Sequence, residues 1–539
     1  MFEMAIKRQD PTSPVGEPYD FRVDRANVQR VEADTVQDTN LDRALMVERG
    51  GVFYRTAMFS KTLPHNSYGE VADNDWMKVE VALRSGDQGY FDRIVRAETA
   101  VRKLVDPQAA LAFGMVGADA FSVSMPEAPS MVSAESGSEM VEVYAMALLR
   151  DAAFRDIADG TTGSEADVDA VLADLNGYGG SFKGPKVGGL VTRGTLFRGT
   201  GVGELVGPYV SQLLLHDYAY GNLFVAQEIE TESDDVASVG VAGWLAIQRG
   251  EATGGANVTG QRRRACSPRV LGSYVHNDAL AQPYLGAALI LLGNGALFDP
   301  NIPVLPNEAM FVTMGPADML GRLWEVSQIA LQAAWRQKWV AHMRLRPEVL
   351  AGRVHFTLTD AQDYDLDARI LGTSTVGLIL AKNSADGEAT YLLPLMYPEG
   401  SPAHPSYPAG HAVVAGACTT VLKAFLDESV LMKDLAGGSF AIVESVTGTE
   451  TMAQLETDAI TDPAIVDVMT VGGELNKLAS NIATARNMAG VHYRSDGDQG
   501  ILLGEKVAIQ FLKDIAATYN ETFVGFSLTK FDGTTITIK

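Results

Sequence analysis

Apolar residues recur at three- and four-residue intervals near 273–293, 316–345, 410–427, 472–494 and 499–518, the period of helices with a buried face. The run from Ala412 to Cys418 holds only small and apolar side chains and predicts a buried helix starting near Pro408, where a missing N–H costs little. Another helix is expected from about Ser138, with Glu139 and Glu142 in its first turn and an apolar run from Val143 to Leu149. Between 156 and 194 only a short helix near Ala166 to Leu175 has the required spacing, so the rest is expected to be irregular. Residues 20–50 mix charge with scattered apolar positions and, with an extended link from Phe59 to Asn66, are expected to wrap a core built later in the chain. Ser527 to Ile538 alternates around Asp532-Gly533 and predicts a β-hairpin.

Composition narrows the function. With 43 basic and 67 acidic residues in 539, the net charge of −24 opposes nucleic acid and anionic lipid as partners. Two cysteines, Cys266 and Cys418, form no disulfide framework and are expected as buried thiols. The first residues lack the pattern of a secretion signal, and the most apolar run, 287–292, is far shorter than the ~20 residues a bilayer requires. A soluble protein is expected, in the cytoplasm or a compartment the sequence does not name. Gly199-Thr200-Gly201-Val202-Gly203 lacks the last glycine of a dinucleotide loop and a strand before it. The acidic patch Glu232-Ser233-Asp234-Asp235 and the basic patch Arg262-Arg263-Arg264 are expected to be solvated faces.

The candidate chemistry lies in polar residues that interrupt apolar stripes. From Pro398 to His411 the chain places four prolines and two histidines, His404 and His411, just before the most apolar helix. The start of that helix, at Ala409-Gly410, offers free backbone N–H groups and so a place for an anion. On the helix from Pro316 the stripe of Leu320, Leu323, Trp324, Leu331, Ala334 and Trp335 arrives at Lys338, and Arg346 follows just before Pro347, where the backbone must be extended. The stripe Leu475, Leu478 and Ile482 arrives at Arg486, followed by His492 and, four residues on, Asp496. Each cation alone suits a packed stem with a solvated head. Together, three buried cations are costly unless they surround an anion, and they would repel the zinc that three histidines might suggest.

Three blocks, Lys338 to Glu348, Ser401 to His411 and Arg486 to Asp496, resemble the vanadium-dependent haloperoxidases, specifically their bromoperoxidase branch. Similar text at Leu63 to Asn66, Leu196 to Gly199, Tyr274 to Leu280 and Phe531 to Thr534 extends the resemblance over most of the chain. The resemblance implies a mainly α fold with two four-helix bundles in one domain: a wrapping segment over 1–130, a first bundle with irregular insertions over 131–272, a second over 273–520 holding vanadate, and the hairpin over 521–539. It implies that His492 binds vanadium, that Lys338, Arg346, Arg486 and the Gly410 N–H hold the vanadate oxygens, and that His411 is the acid–base residue. Asp496 would orient His492, and His404 would mark the bromoperoxidase branch. The implied reaction oxidises bromide or iodide with hydrogen peroxide to a hypohalous acid that halogenates organic molecules. The implied assembly is a dimer or dodecamer, with a structural calcium in some relatives but no readable ligand pattern for one here.

One position departs from the family: Ala409 stands where a serine commonly donates to a vanadate oxygen. Two other classes fit parts of the pattern. A related acid phosphatase would use His492 as nucleophile and His411 as acid, but the eight-residue spacing of Lys338 and Arg346 and the long N-terminal half count against it. A non-catalytic oxyanion-binding protein would account for Ala409.

Overall fold

The computed structural model describes residues 39–539, apart from 115, 234, 236–239 and 255–257. Early in the described residues lies a small antiparallel sheet, β1 (Met46–Arg49), β2 (Val52–Arg55) and β3 (Val71–Ala72), and the described remainder is mainly helical. The helices that bear on function are α1 (Ala134–Leu148), α2 (Glu165–Gly177), α3 (Pro268–Tyr274), α4 (Gln282–Gly293), α5 (Pro316–Arg336), α6 (Pro347–Leu358), α7 (Gly410–Phe425), α8 (Val471–Met488) and α9 (Arg494–Ala516). A hairpin of Phe526–Thr529 with Thr535–Ile538 closes the chain, as its alternation predicts. None of the described helices is long and apolar enough to cross a membrane.

Helix α7 is the centre of the molecule, packed against α5, α8 and α9. Every residue from Gly410 to Phe425 is buried except His411. Its crossing with α9 is close because glycines face it: a Cβ on Gly416 would lie 2.0 Å from the Ile501 carbonyl oxygen, and one on Gly504 would lie 2.0 Å from that of Val413. Gly504→Ala should therefore force the two backbones apart and cost about 1–3 kcal/mol in urea unfolding. Gly321→Ala on α5, where a Cβ meets nothing within 4 Å, should be neutral or stabilise by less than about 1 kcal/mol.

Several predicted elements differ in detail. The stripe over 316–345 is not one helix: α5 ends at Arg336, and residues Gln337–His342 form a π-helical turn closed by the Met343 N–H to the Lys338 carbonyl at 2.9 Å. Met343 then turns left-handed (φ 48°) and Arg346 is extended (φ −85°, ψ 157°), as a residue before proline should be. The stripe over 273–293 is split into α3 and α4, with residues 275–281 between them. Helix α7 starts at Gly410, with Pro408 outside it, and α8 and α9 are joined by a link carrying His492. Helix α1 begins at Ala134, capped by Ser133. Glu139 and Glu142 therefore lie beyond the first turn, as buried partners of Arg344 and Arg494. Helix α2 and the two buried cysteines agree with expectation.

The charged patches near 232 and 264 are corrected in part, since Arg262 is exposed as expected but the residues around it are not all solvated. Glu232 is buried against His276, Asp235 pairs with Arg150 and Arg269, and Arg264 is buried against Asp217 at 2.7 Å. Alternating charge in an irregular segment cannot distinguish solvated ions from ions whose partners lie far along the chain. Asp234, like residues 20–38 of the expected wrapping segment, lies outside the described residues. The glycine-rich loop at 199–203 encloses a carboxylate, not a phosphate: a Cβ on Gly201 would lie 2.4 Å from Glu204 Oε1.

Candidate active site

The predicted polar interruptions converge at one end of α7. The π-helical turn directs Lys338 inward, where its Nζ donates to the Pro405 and Ser406 carbonyls, both at 2.9 Å. Burial, and after it the neighbouring Arg346, holds the lysine pKa well below its ordinary value. Arg346, fully buried, donates Nε to the His404 carbonyl at 3.0 Å and Nη1 to the Val491 carbonyl at 2.6 Å. Its Nη1 and Nη2 also lie 3.0 Å from His492 Nε2 and His404 Nδ1. Burial brings its pKa down to about 9, despite the opposing pull of Asp496. Arg486 donates one N–H to the Val275 carbonyl and packs over the Tyr397 ring at 5.6 Å, but its buried Nε has no partner.

These donors determine the histidine tautomers. Arginine has no acceptor, so His492 Nε2 and His404 Nδ1 are both unprotonated nitrogens receiving its N–H groups. The 3.2 Å approach of His404 Nδ1 to the Pro405 carbonyl is thus a contact, not a donated bond. On the other side of the His492 ring, Nδ1–H donates to Asp496 Oδ2 at 2.8 Å. Burial, then Arg346 and Lys338, holds the His492 pKa well below its usual value, so the ring stays neutral with a lone pair on Nε2. That is the form a metal ligand requires.

Asp496 is itself held on several sides. It accepts from Arg344 Nη1 at 2.7 Å, from the Tyr493 N–H at 3.1 Å and from the Ser406 hydroxyl. Arg344 also reaches Glu139 at 2.8 Å and stacks over Tyr493 at 4.0 Å. Although burial opposes the charge of Arg344, the two carboxylates outweigh it and raise its pKa.

His411 is the one residue of α7 that is not buried, and its Nε2 lies 2.9 Å from Asp278 Oδ1. Ala409, which precedes the helix, provides no side-chain acceptor, so the first-turn N–H of Gly410 has neither cap nor preceding carbonyl. The Ala409 N–H itself bonds the Asp496 carbonyl at 2.9 Å. His404, His411, His492, Arg486 and Gly410 line one cavity of about 350 Å³, closed on its apolar side by Leu331, Trp335 and Val414. Lys338, Arg346 and Asp496 do not line it: Arg346 and Asp496 bond His404 and His492, which do, and Lys338 bonds the Pro405 and Ser406 carbonyls next to His404 in the chain.

All nine predicted positions, Lys338, Arg346, His404, Ala409, Gly410, His411, Arg486, His492 and Asp496, therefore belong to this cavity or to its immediate support. Sequence reasoning assigned no role to Arg344, Glu139, Ser406 or Asp278. Arg344 carried a signal, since it shares the buried block of Arg346 at a spacing of two. Asp278 had none, lying 133 residues from its partner in a link between helices.

Chemically, the site brings to one cavity a neutral imidazole whose Nε2 is held unprotonated by an Arg346 N–H, a guanidinium with an orphaned N–H among the described residues, and the first residue of α7, backed by two further cations. This suits an oxyanion with a central atom that accepts a nitrogen ligand.

Residues 329–521 match the family model described as the VCPO second helical-bundle domain. The chain is 34% identical to a vanadium-dependent bromoperoxidase of Corallina pilulifera, over 89% of this chain and 91% of that one. It is 31% identical to a vanadium-dependent bromoperoxidase of Ascophyllum nodosum, over 95% of this chain and 91% of that one. Among solved structures it resembles the homohexameric second vanadate-dependent bromoperoxidase of A. nodosum, with a TM-score of 0.85 and 26% identity, over 97% of this chain and 90% of that one.

Proposed function

The chain belongs to the vanadium-dependent bromoperoxidases, and from that premise we propose that it oxidises bromide or iodide with hydrogen peroxide at the α7 cavity, using vanadate. The observation that carries the site assignment is that His492, with Nε2 an unprotonated acceptor of an Arg346 N–H, lines the same cavity as Gly410 and as Arg486, whose Nε has no partner among the described residues. These groups fit vanadate, and the phosphatase alternative is not favoured, since the relatives are bromoperoxidases.

His492 would hold vanadium through Nε2, while Arg486 and the Gly410 N–H would bond the oxyanion oxygens and Arg346 and Lys338, behind the cavity wall, would offset their charge. When bound, vanadate supplies a Lewis acid that makes a peroxide oxygen electrophilic toward halide. Asp496, fixed by Arg344 and Ser406, keeps the proton on His492 Nδ1 so that Nε2 remains a donor. His411 accepts a proton from hydrogen peroxide, and Asp278 holds its ring in the orientation for that transfer. His404, seated 4.8 Å from the Trp335 ring and bonded to Arg346, forms the wall on the halide side. The net reaction is H2O2 + Br⁻ + H⁺ → HOBr + H2O. The hexameric neighbour supports a homo-oligomer for this chain as well, alongside the dimer and dodecamer that the family resemblance implies.

Protein reconstituted with orthovanadate should brominate a phenolic dye when peroxide and bromide are supplied, with excess phosphate suppressing the rate. Absence of vanadate-dependent turnover with both bromide and iodide would overturn the assignment. Ala409 allows a finer test. A serine there would add a donor beside the cavity and, at the residue before α7, a helix-capping oxygen. Ala409→Ser should tighten vanadate binding by about 10-fold or more, the worth of a hydrogen bond to a charged group. Equilibrium dialysis measures the change. An unchanged dissociation constant accompanied by a higher unfolding midpoint would mean that the hydroxyl caps the helix instead.

A further inference from the structure

A second cavity, of about 230 Å³, adjoins the first, and Asp278 lines both. Its other charged walls are Glu228, Glu230 and Glu232, carried on or next to the strand Ile229–Glu232, with Tyr218 and Tyr274 as aromatic walls. Glu232 is only 2% exposed. Its Oε1 takes a hydrogen bond from His276 Nδ1, while Oε2 is buried with no hydrogen-bond partner among the described residues. A buried carboxylate oxygen without a donor is costly, and an incoming N–H group would satisfy it.

The cations nearby leave the cavity negative. His276 bonds Glu232 on one side and Glu399 on the other at 3.0 Å, so its charge is shared between two carboxylates. Arg264 comes within 3.9 Å of Glu228 but directs its N–H groups to Asp217 and to the Leu215 and Glu450 carbonyls. Arg262 stands opposite Glu230 across the ladder, and among the described residues no ion pair joins them. The net charge of −24 adds a long-range attraction for cations.

We propose that this cavity receives the ammonium group of an organic amine, so that an electron-rich ring on the same molecule is presented toward the neighbouring cavity where halogen is released. The inference rests on the haloperoxidase reading and adds to it a substrate class. For a phenolic amine the step is Ar–H + HOBr → Ar–Br + H2O: the ring carbon bonds bromine, the Br–O bond breaks, and the displaced ring proton leaves with hydroxide as water. Glu232 and its acidic neighbours bind the ammonium and take no part in the bond changes. Tyrosine faces favour the same cation.

Tyramine and N-acetyltyramine share the ring and differ in charge, which makes them the probes. Calorimetric titration of the vanadate-reconstituted protein without peroxide should give tyramine an affinity about tenfold higher, with the difference shrinking at high salt. The double variant Glu228→Gln, Glu230→Gln should weaken tyramine about fivefold and N-acetyltyramine less than twofold. Equal affinities in the wild type, or equal losses in the variant, would overturn the subsite. A protein that oxidises bromide without preferring tyramine refutes the subsite alone. One that binds tyramine selectively yet never oxidises bromide refutes the haloperoxidase reading and leaves a cation site.

Discussion

His492→Ala will abolish vanadate binding, whereas His411→Ala will retain it and lose turnover. The two imidazoles lie at the same cavity but are held differently. His492 is fully buried, with Nδ1–H fixed by Asp496 and Nε2 held unprotonated by an Arg346 N–H, so its removal deletes a prospective ligand and not merely a neighbour. Changing an outer partner of a metal ligand costs about 10–100-fold in affinity, and loss of the ligand itself should exceed that. His411 is partly exposed and, among the described residues, its ring is bonded to Asp278 alone. Its loss should lower kcat for bromide by about 10²–10⁴-fold, the usual worth of a positioned acid–base group, while the vanadate dissociation constant moves little. Titration followed by ⁵¹V resonance, alongside bromide kinetics, separates the two. The opposite pattern would exchange the roles assigned to them.

Arg344→Ala is expected to have the largest effect on stability. It would leave Asp496 and Glu139 buried without their shared cation. Removing one partner from such a network typically costs about 3–5 kcal/mol, because the remaining charges stay desolvated. Urea unfolding would detect this as a lower midpoint with an unchanged slope. Vanadate affinity should fall with it, by about 10–100-fold, since Asp496 would lose a partner that directs it at His492. Adding Glu139→Gln should recover part of the stability but not the affinity, because only the pairing of Asp496 bears on the imidazole. A variant that loses stability with full vanadate affinity would show that Ser406 and the Tyr493 N–H suffice to position Asp496.

The site was unusually legible in the sequence because it is written as violations. A lysine or arginine where a leucine belongs is visible in a periodic stripe, and Lys338 and Arg486 were found in that way. Arg346 was legible through the proline after it, which forces the extended backbone that the structure has. Partners that arrive from irregular segments left no such trace. Asp278 and Glu232 sit in links or short strands, and their ion pairs close over 133 and 44 residues. The same blindness made the patches near 232 and 264 look solvated. The π-helical turn at Lys338 was also invisible, since apolar spacing specifies which face is buried but not how the hydrogen bonds step from one turn to the next.

A catalyst that releases an electrophilic halogen must survive its own product. In helix α7 the single residue that is not buried is His411, while Cys418, two turns further along, is fully enclosed. Burial also raises the pKa of Cys418, and that of Cys266 to about 11, so both sulfurs persist as the protonated thiol, the form least open to electrophiles. The packing that aims the start of the helix at the cavity thus also shelters the chain's most oxidisable atoms, linking the shape of the core to the working lifetime of the enzyme.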